Sequence, residues 1–310
     1  MDHLRVFRLI EDVARAGSIR KAADDMNLTS SALNRRIQRF EEDFGAQIFE
    51  RLPRGVRLNA AGELLVQHYR AQRSDLERVR AHVADLSGIR RGHVSIACSQ
   101  AVQPYFLPEQ IARYRAEHPG VTFSVHVRDR AAAERDLVSF STDLALVFEP
   151  VHLADFEVIA AAGQPVCAMM ARDHPLARRE RLRLRDCLGY PHVVPSAPYG
   201  VRHLLEQATI RRSRRLSPIV ECDSFEFARH YVLHEGAVGF QIPIGLRPSP
   251  DLVVREIPER DLPAGLLLLG QRRGRALPVA SARFADRLAT VLQDVTGLTT
   301  DALTPGSGAR

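Results

Sequence analysis

The stretch Ser18–Phe44, SIRKAADDMNLTSSALNRRIQRFEEDF, constrains this chain more than any other. Counted around a helix, Leu33, Ile37, Phe40 and Phe44 fall within about 60° of one another. Ser31, Asn34, Arg35, Gln38 and Arg39 fall on the opposite side. One face is therefore apolar, and the other carries hydrogen-bond donors and positive charge. Upstream, Ile19–Met26 has its own apolar stripe at Ile19, Ala22, Ala23 and Met26, and the two alanines are small enough for a second helix to cross close by. The link Asn27-Leu28-Thr29 supplies an apolar anchor, and Thr29 or Ser30 an N-cap. A crossed pair of short helices whose second member shows amides and cations outward is a helix-turn-helix, and that second helix enters the DNA major groove. The competing reading is a surface amphipathic helix that is merely rich in arginine.

The flanking segments suit the first reading. Leu4–Ala14 predicts a helix with Leu4, Phe7, Ile10 and Val13 or Ala14 facing inward, and Gly17 ends it where Ser18 can cap the next. Gly45 is placed to terminate the recognition helix. Gln47–Arg51 and Val56–Leu58 predict a hairpin turned by Pro53-Arg54-Gly55. Beside a recognition helix such a hairpin is a wing, with Arg51, Arg54 and Arg57 facing phosphate or the minor groove. Asn59 then caps a long helix to Leu86 or Ser87. Tyr69, Leu76 and Val83 are seven apart in it, and so are Leu65, Gln72, Val79 and Leu86. The two series are offset by four, as the a and d positions of a coiled coil are, which predicts a homodimer seam.

Residues 1–70 resemble the winged helix-turn-helix of LysR-type transcriptional regulators. The resemblance rests on Gly17-Ser18-Ile19, Ala22-Ala23, Leu28 through Ile37, Phe40-Glu41, Phe44-Gly45, Phe49-Glu50-Arg51, Gly55 through Leu58 and Ala61-Gly62, in that order and spacing. The sequence departs from the usual pattern at Ser30-Ser31, where Gln-Pro is common, at Asn34, where Ser is common, and at Asn59, where Thr is common. All four stay small and polar or able to cap. On this resemblance the DNA-reading residues are Ser18, Ser30, Ser31, Asn34, Arg35, Gln38 and Arg39. It also implies an operator of double-stranded DNA, a small-molecule effector and homodimers that usually pair into homotetramers.

Gly88-Ile89-Arg90-Arg91-Gly92 breaks the long helix and predicts a hinge. From His93 onward short apolar runs alternate with helical stretches, the pattern of an α/β domain. Strands are expected at Val94–Cys98, Val121–Val127, Leu144–Phe148, Val166–Met170, His192–Val194, Ile219–Glu221, Ala237–Ile242 and Leu266–Gly270. Helices are expected at Pro104–Glu117, Ala131–Phe140, Tyr199–Ala208, Phe225–Glu235 and Pro278–Gln293. The family resemblance implies two α/β lobes like those of periplasmic binding proteins. The organisation is then a DNA-binding domain over 1–59, a linker and dimerisation helix over 60–88, an effector domain over 92–295 and a flexible tail over 296–310. Lobe I takes 92–162 and 267–295, and lobe II takes 163–266.

Ligands of open α/β sheets lie at the carboxyl ends of strands, near helix N-termini. Cys98-Ser99-Gln100, Ser196 through Tyr199 and Asp223-Ser224-Phe225 meet that description, and the resemblance adds Phe148 and Gln241 as cleft walls. Ser99, Gln100 and Ser196 offer hydroxyl and amide partners, Tyr199 and Phe225 aromatic surface. An effector with a carboxylate and a ring or chain suits this set, although Ser99 or Ser224 could equally just cap a helix. The basic runs Arg178–Arg185, Arg211–Arg215 and Arg272–Arg275 read as solvated faces or subunit contacts.

Composition sets outer bounds. The net charge of +6 only mildly favours a polyanionic partner, so the clustering of Arg35, Arg36 and Arg39 matters more than the total. No window approaches twenty apolar residues, and Asp2, Glu11 and Asp12 interrupt the first apolar pattern. Neither a membrane span nor a signal peptide is expected, and the cytoplasm is the expected location. Cys98, Cys167, Cys187 and Cys222 lack metal-ligand spacing, so no cofactor is expected. A cysteine pair sensing peroxide, or a solute-binding protein without a DNA role, are the alternatives. A Gly-rich phosphate loop, a G-x-S-x-G elbow and an H-E-x-x-H motif are all missing, and His118 and His174 each precede proline. An enzyme is not expected.

Overall fold

The computed structural model describes residues 2–53, 55–86, 92–151, 154–211 and 215–295. Residues 88–91 of the expected hinge, Arg54 and the expected tail 296–310 lie outside them, and Gly92 of that hinge begins a strand. The chain divides into two compact units, Met1–Arg80 and Ala81–Arg310.

The first unit runs α1 (Asp2–Ala16), α2 (Ile19–Asp25), α3 (Ser30–Phe44), β1 (Phe49–Leu52), β2 (Gly55–Leu58) and α4 (Ala60–Leu86), whose last turns pass into the second unit. Its core joins Ile10 and Val13 of α1, Ala22 and Ala23 of α2, and Leu33, Ile37 and Phe40 of α3 with Ile48, Phe49, Leu65 and Val66. The apolar stripes that define each helix in the sequence are thus the surfaces that meet. Each helix also has its terminus where the side chains dictate. Ser18 Oγ accepts from Lys21 N at 3.4 Å, and Thr29 Oγ1 from Ala32 N at 3.3 Å. Gly45 takes the left-handed conformation (φ 78°) that closes α3. Phe44, at the end of the apolar stripe, is exposed and stacks on Phe40 instead of entering the core.

The second unit continues β3 (Gly92–Cys98), α5 (Phe106–Glu117), β4 (Val121–Val127), α6 (Arg130–Val138), β5 (Leu144–Phe148), β6 (Phe156–Gln164), β7 (Cys167–Ala171), α7 (Leu184–Cys187), β8 (His192–Pro195), α8 (Gly200–Ile210), β9 (Val220–Cys222), α9 (Phe225–Glu235), β10 (Val238–Gln241), β11 (Leu252–Glu256), β12 (Gly265–Arg272) and α10 (Val279–Val295). Two five-stranded sheets result, in the orders β4-β3-β5-β12-β6 and β11-β7-β10-β8-β9. In the first, β3 is parallel to β4 and β5, while β12 is antiparallel to β5 and β6. The chain leaves this sheet after β6 and returns to it at β12, so the second sheet forms a separate lobe reached by two crossovers.

The sequence assigns no strand to Phe156–Gln164 or to Leu252–Glu256, and both are strands. Gly270 is the point where β12 shifts register, and a Cβ there would meet the Phe156 ring at 2.1 Å. The basic run at Arg272–Arg275 is only partly a solvated face: Arg273 is exposed, whereas Arg272 and Arg275 are engaged. Arg275 is nearly buried and bonds Asp143 at 2.7 Å, while Arg272 lies 4.2 Å over the Phe140 ring. In the run Arg178–Arg185, Arg183 clamps Asp261 with two bonds, 2.6 and 2.8 Å. Part of the third run, 212–214, lies outside the described residues.

Candidate functional site

In the first unit the polar face of α3 is open. Ser31, Arg35, Gln38 and Arg39 are exposed, and Ser18, Ser30 and Asn34 are partly so. Arg35, Arg36 and Arg39 form no ion pair among the described residues, so their charge is available to a partner. One contact ties the wing to α3 and another ties its turn to Gly17, between α1 and α2. Glu41, on α3 itself, accepts from Ile48 N at 2.7 Å and Phe49 N at 3.4 Å, holding the start of the hairpin to the helix. At the turn, Val56 N donates to Gly17 O at 2.9 Å, and Gly55 (φ 123°) sits so close that a Cβ would lie 2.2 Å from that same oxygen. Arg51 extends into solvent, whereas Arg57 is held by its cross-strand neighbour Glu50 at 2.8 Å. Arg54 lies outside the described residues.

The expected dimer seam is altered at its first members. Leu65 and Tyr69 are each only 6% exposed, Leu65 in the core and Tyr69 with its ring 5.9 Å from Phe7. They hold α4 to its own unit, aided by Glu11, which accepts from Arg70 at 2.6 Å and Arg73 at 3.1 Å. Farther along, Leu76, Val79 and Val83 are 42, 52 and 57% exposed. The side chain of Leu86 lies outside the description. Three residues therefore remain for a seam, and two are monomer core, because the same stripe that could pair with a second copy begins beneath the helix-turn-helix.

In the second unit the loop after β8 lies beside the start of α9, with Ser196 N donating to Cys222 O at 2.8 Å. A Cβ at Gly200 would lie 2.5 Å from Phe148 O, which brings the start of α8 in one lobe onto the end of β5 in the other. Phe148 and Phe225 are both buried in the core. Phe148 is 1% and Phe225 6% exposed, so both rings are packed among neighbouring side chains. Ser99 is buried, and its Oγ accepts from Ala101 N at 3.3 Å, a local turn bond. Ser196 and Tyr199 are partly exposed. Tyr199 stands between Asp223 of one lobe and Asp129 of the other; burial first, then these two charges, raise its phenol above its ordinary range. Gln100 and Gln241 are almost fully buried.

Sequence reasoning missed the side chains that join the lobes. Tyr105 Oη donates to Glu226 at 2.9 Å, Arg247 bonds Glu109, and the Arg247 guanidinium lies 5.6 Å over the Tyr105 ring. These partners are more than a hundred residues apart, so no local pattern could pair them. Gln164 was also missed; its Oε1 accepts from Ile244 N at 3.1 Å beside the crossover.

All four cysteines are free thiols. Burial pushes Cys98 and Cys187 up to about 12 and raises Cys167 as well. The thiolate is the reactive form, so these sites disfavour peroxide sensing. No described group of His, Cys, Asp and Glu could hold a metal ion, and no described helix is long and apolar enough to cross a membrane.

Comparison with known proteins gives concordant matches. Residues 3–63 match the bacterial regulatory helix-turn-helix protein of the lysR family, and residues 87–293 match the LysR substrate binding domain. An SDS degradation transcriptional activation protein of a Pseudomonas species is 28% identical over 319 residues, covering all of both chains. The transcriptional regulator CbbR of Xanthobacter flavus is 32% identical over 206 residues, covering 66% of this chain and 61% of its own. Among solved structures, a full-length OxyR from Pseudomonas aeruginosa aligns with a TM-score of 0.68 at 20% identity, over 93% of this chain and 99% of its own. Full-length CbnR complexed with its target DNA aligns at 0.65 and 17% identity, with the same coverage.

Proposed function

This chain belongs to the LysR family and is a DNA-binding transcriptional regulator with an effector-binding domain, and on that premise we propose how its own residues divide the work. Asn34, Arg35, Gln38 and Arg39 read base edges in the major groove, with Ser18, Ser30 and Ser31 at the helix starts facing the backbone. Arg51 and Arg54 of the wing hold phosphate. The observation that carries this division is the open face of α3, whose arginines have no carboxylate partner among the described residues, while Leu33, Ile37 and Phe40 on the opposite face are buried. The exposed stripe at Leu76, Val79 and Val83 joins two copies, so that two recognition helices meet one operator. The pairing of such dimers into tetramers rests on the family resemblance. The cytoplasm, where the chromosome lies, is the compartment this role requires.

The effector occupies the cleft between the lobes, bordered by Ser99, Gln100, Ser196, Tyr199 and Gln241, with Phe148 and Phe225 as its packed walls. A ligand that binds one lobe arrangement better than another shifts the population of the two, and that is the only way it can alter operator binding. A gel-shift series tests the DNA half. Arg35→Ala is expected to lose about 1–3 kcal/mol on operator and to relax specificity. Arg54→Ala should weaken operator and random DNA alike and flatten the salt dependence. Equal behaviour of the two variants would overturn the assignment.

A further inference from the structure

We propose that the effector of this chain is a neutral molecule presenting a hydrogen-bond donor and acceptor side by side, as a carboxamide does, and not a carboxylate; this rests on the interlobe cleft being the effector site. It departs from the carboxylate that the loop composition alone suggests.

The decisive residue is Gln100. It is 4% exposed, and neither its Oε1 nor its Nε2 has a hydrogen-bond partner among the described residues. Gln241, 1% exposed, is half-engaged. Its Oε1 accepts from Ile242 N at 2.9 Å, which fixes the amide's orientation and leaves Nε2 as a donor without a partner. The two lie at one place in the fold. A Cβ on Gly245 would fall 2.4 Å from the carbonyl oxygen of Ala101, the neighbour of Gln100, and 2.9 Å from Gln241 Nε2. The loop that carries Gln100 therefore meets the Gln241 side chain here, and the two residues offer two Nε2 donors and one Oε1 acceptor without partners. A buried amide left unmet is costly, so a ligand whose groups complete it is favoured over one whose groups do not. A carboxylate accepts from both Nε2 groups but leaves Gln100 Oε1 facing a second anionic oxygen. A carboxamide or hydroxyl group meets all three atoms.

The charges around the cleft agree. Asp129 and Asp223 approach Tyr199 from the two lobes. Several arginines of these elements already face carboxylates. Arg202 pairs with Glu206 and Glu221, Arg229 with Glu226, Arg247 with Glu109, and Arg128 with Asp136. Arg130 is turned onto the Glu149 and Pro150 carbonyls. The N-termini of α6 and α9 are capped by Asp129 and Ser224, and the start of α8 lies against the Phe148 carbonyl. An anion entering here would be desolvated beside Asp129 and Asp223, where most of these guanidinium groups already face carboxylates and Arg130 faces backbone carbonyls.

The test uses full-length protein, isothermal titration and thermal melting, with two matched probe pairs, benzamide against benzoate and nicotinamide against nicotinate. The amide of a pair is expected to bind at least tenfold tighter than its acid, and Gln100→Met is expected to abolish that preference. Tighter binding of the acids, sensitive to Gln100→Met and Gln241→Met, would overturn the neutral class while keeping the cleft as the site. Binding unchanged in both variants would overturn the cleft itself. Should no probe bind, the ligand-free melting temperature decides. Gln100→Met should raise it, because an unmet amide is removed; a fall would show that the amide already has its partners in the protein, and the proposal would fail.

Discussion

Glu41 shows how much one side chain can settle. Its oxygen caps two backbone N–H groups of the wing while its own helix carries the base-reading face. Glu41→Ala leaves those donors unmet and is expected to destabilise the first unit by about 1–3 kcal/mol, seen as a lower denaturant midpoint. Operator and random DNA should both bind more weakly, since the wing and not a base contact is lost. Glu41→Gln keeps an acceptor and should recover most of the stability. In the sequence this residue is just a polar neighbour of Phe40. Residue identity was a good guide on α3, where a 3.6-residue period sorts inside from outside. It was less informative at Phe148, because an aromatic at a strand end looks the same in sequence whether it is open or, as here, buried.

At the scale of elements, Gly55 and α4 are the informative cases. Gly55 combines a positive φ with a backbone oxygen where a Cβ would stand. Gly55→Ala therefore meets both conformational strain and a clash, and is expected to cost more than about 1 kcal/mol by chemical denaturation of the first unit. The α4 helix is legible in sequence from cap to end, because Asn59 caps it and no breaker interrupts it; Asn59 Oδ1 accepts from Gly62 N at 2.9 Å. Its heptad spacing is also plain in the sequence. Which heptads serve a second copy is not, since Leu65 and Tyr69 obey the same period for a different partner. Leu76→Glu with Val79→Glu is expected to shift the protein toward monomer by sedimentation, with its melting temperature nearly unchanged because both positions are exposed. Strand β6 escaped notice for a related reason: Ala160, Ala161 and Ala162 have little strand preference, and their pairing with β12 comes from a segment a hundred residues away.

For the molecule as a whole, the lobes are tied by Tyr105 with Glu226 and by Arg247 with Glu109. Tyr105→Phe removes one bond across the cleft, worth about 0.5–1.5 kcal/mol, and should raise hydrogen exchange at the start of α9. Burial, reinforced by Glu226, raises the Tyr105 phenol above its ordinary value of 10, and Tyr199 is raised likewise. The folded chain thus holds these protons more tightly than the unfolded one. Their stabilising effect is complete below about pH 10 and is lost as pH rises through the folded values. Melting temperature should fall with alkaline pH in that window, and less steeply in Tyr105→Phe.

Helix periods, caps and turn residues are local, fixed by interactions a few residues apart, and they were sufficient to set out the helix-turn-helix, the wing, the long helix and most of the alternating strands. The resemblance that identifies the family is written in the same local code. The state of the cleft is different in kind. Whether Gln100 is satisfied, which arginines are free, and which face of α4 is already occupied depend on atoms brought together from distant parts of the chain, and only tertiary packing decides which polar groups are left without a partner.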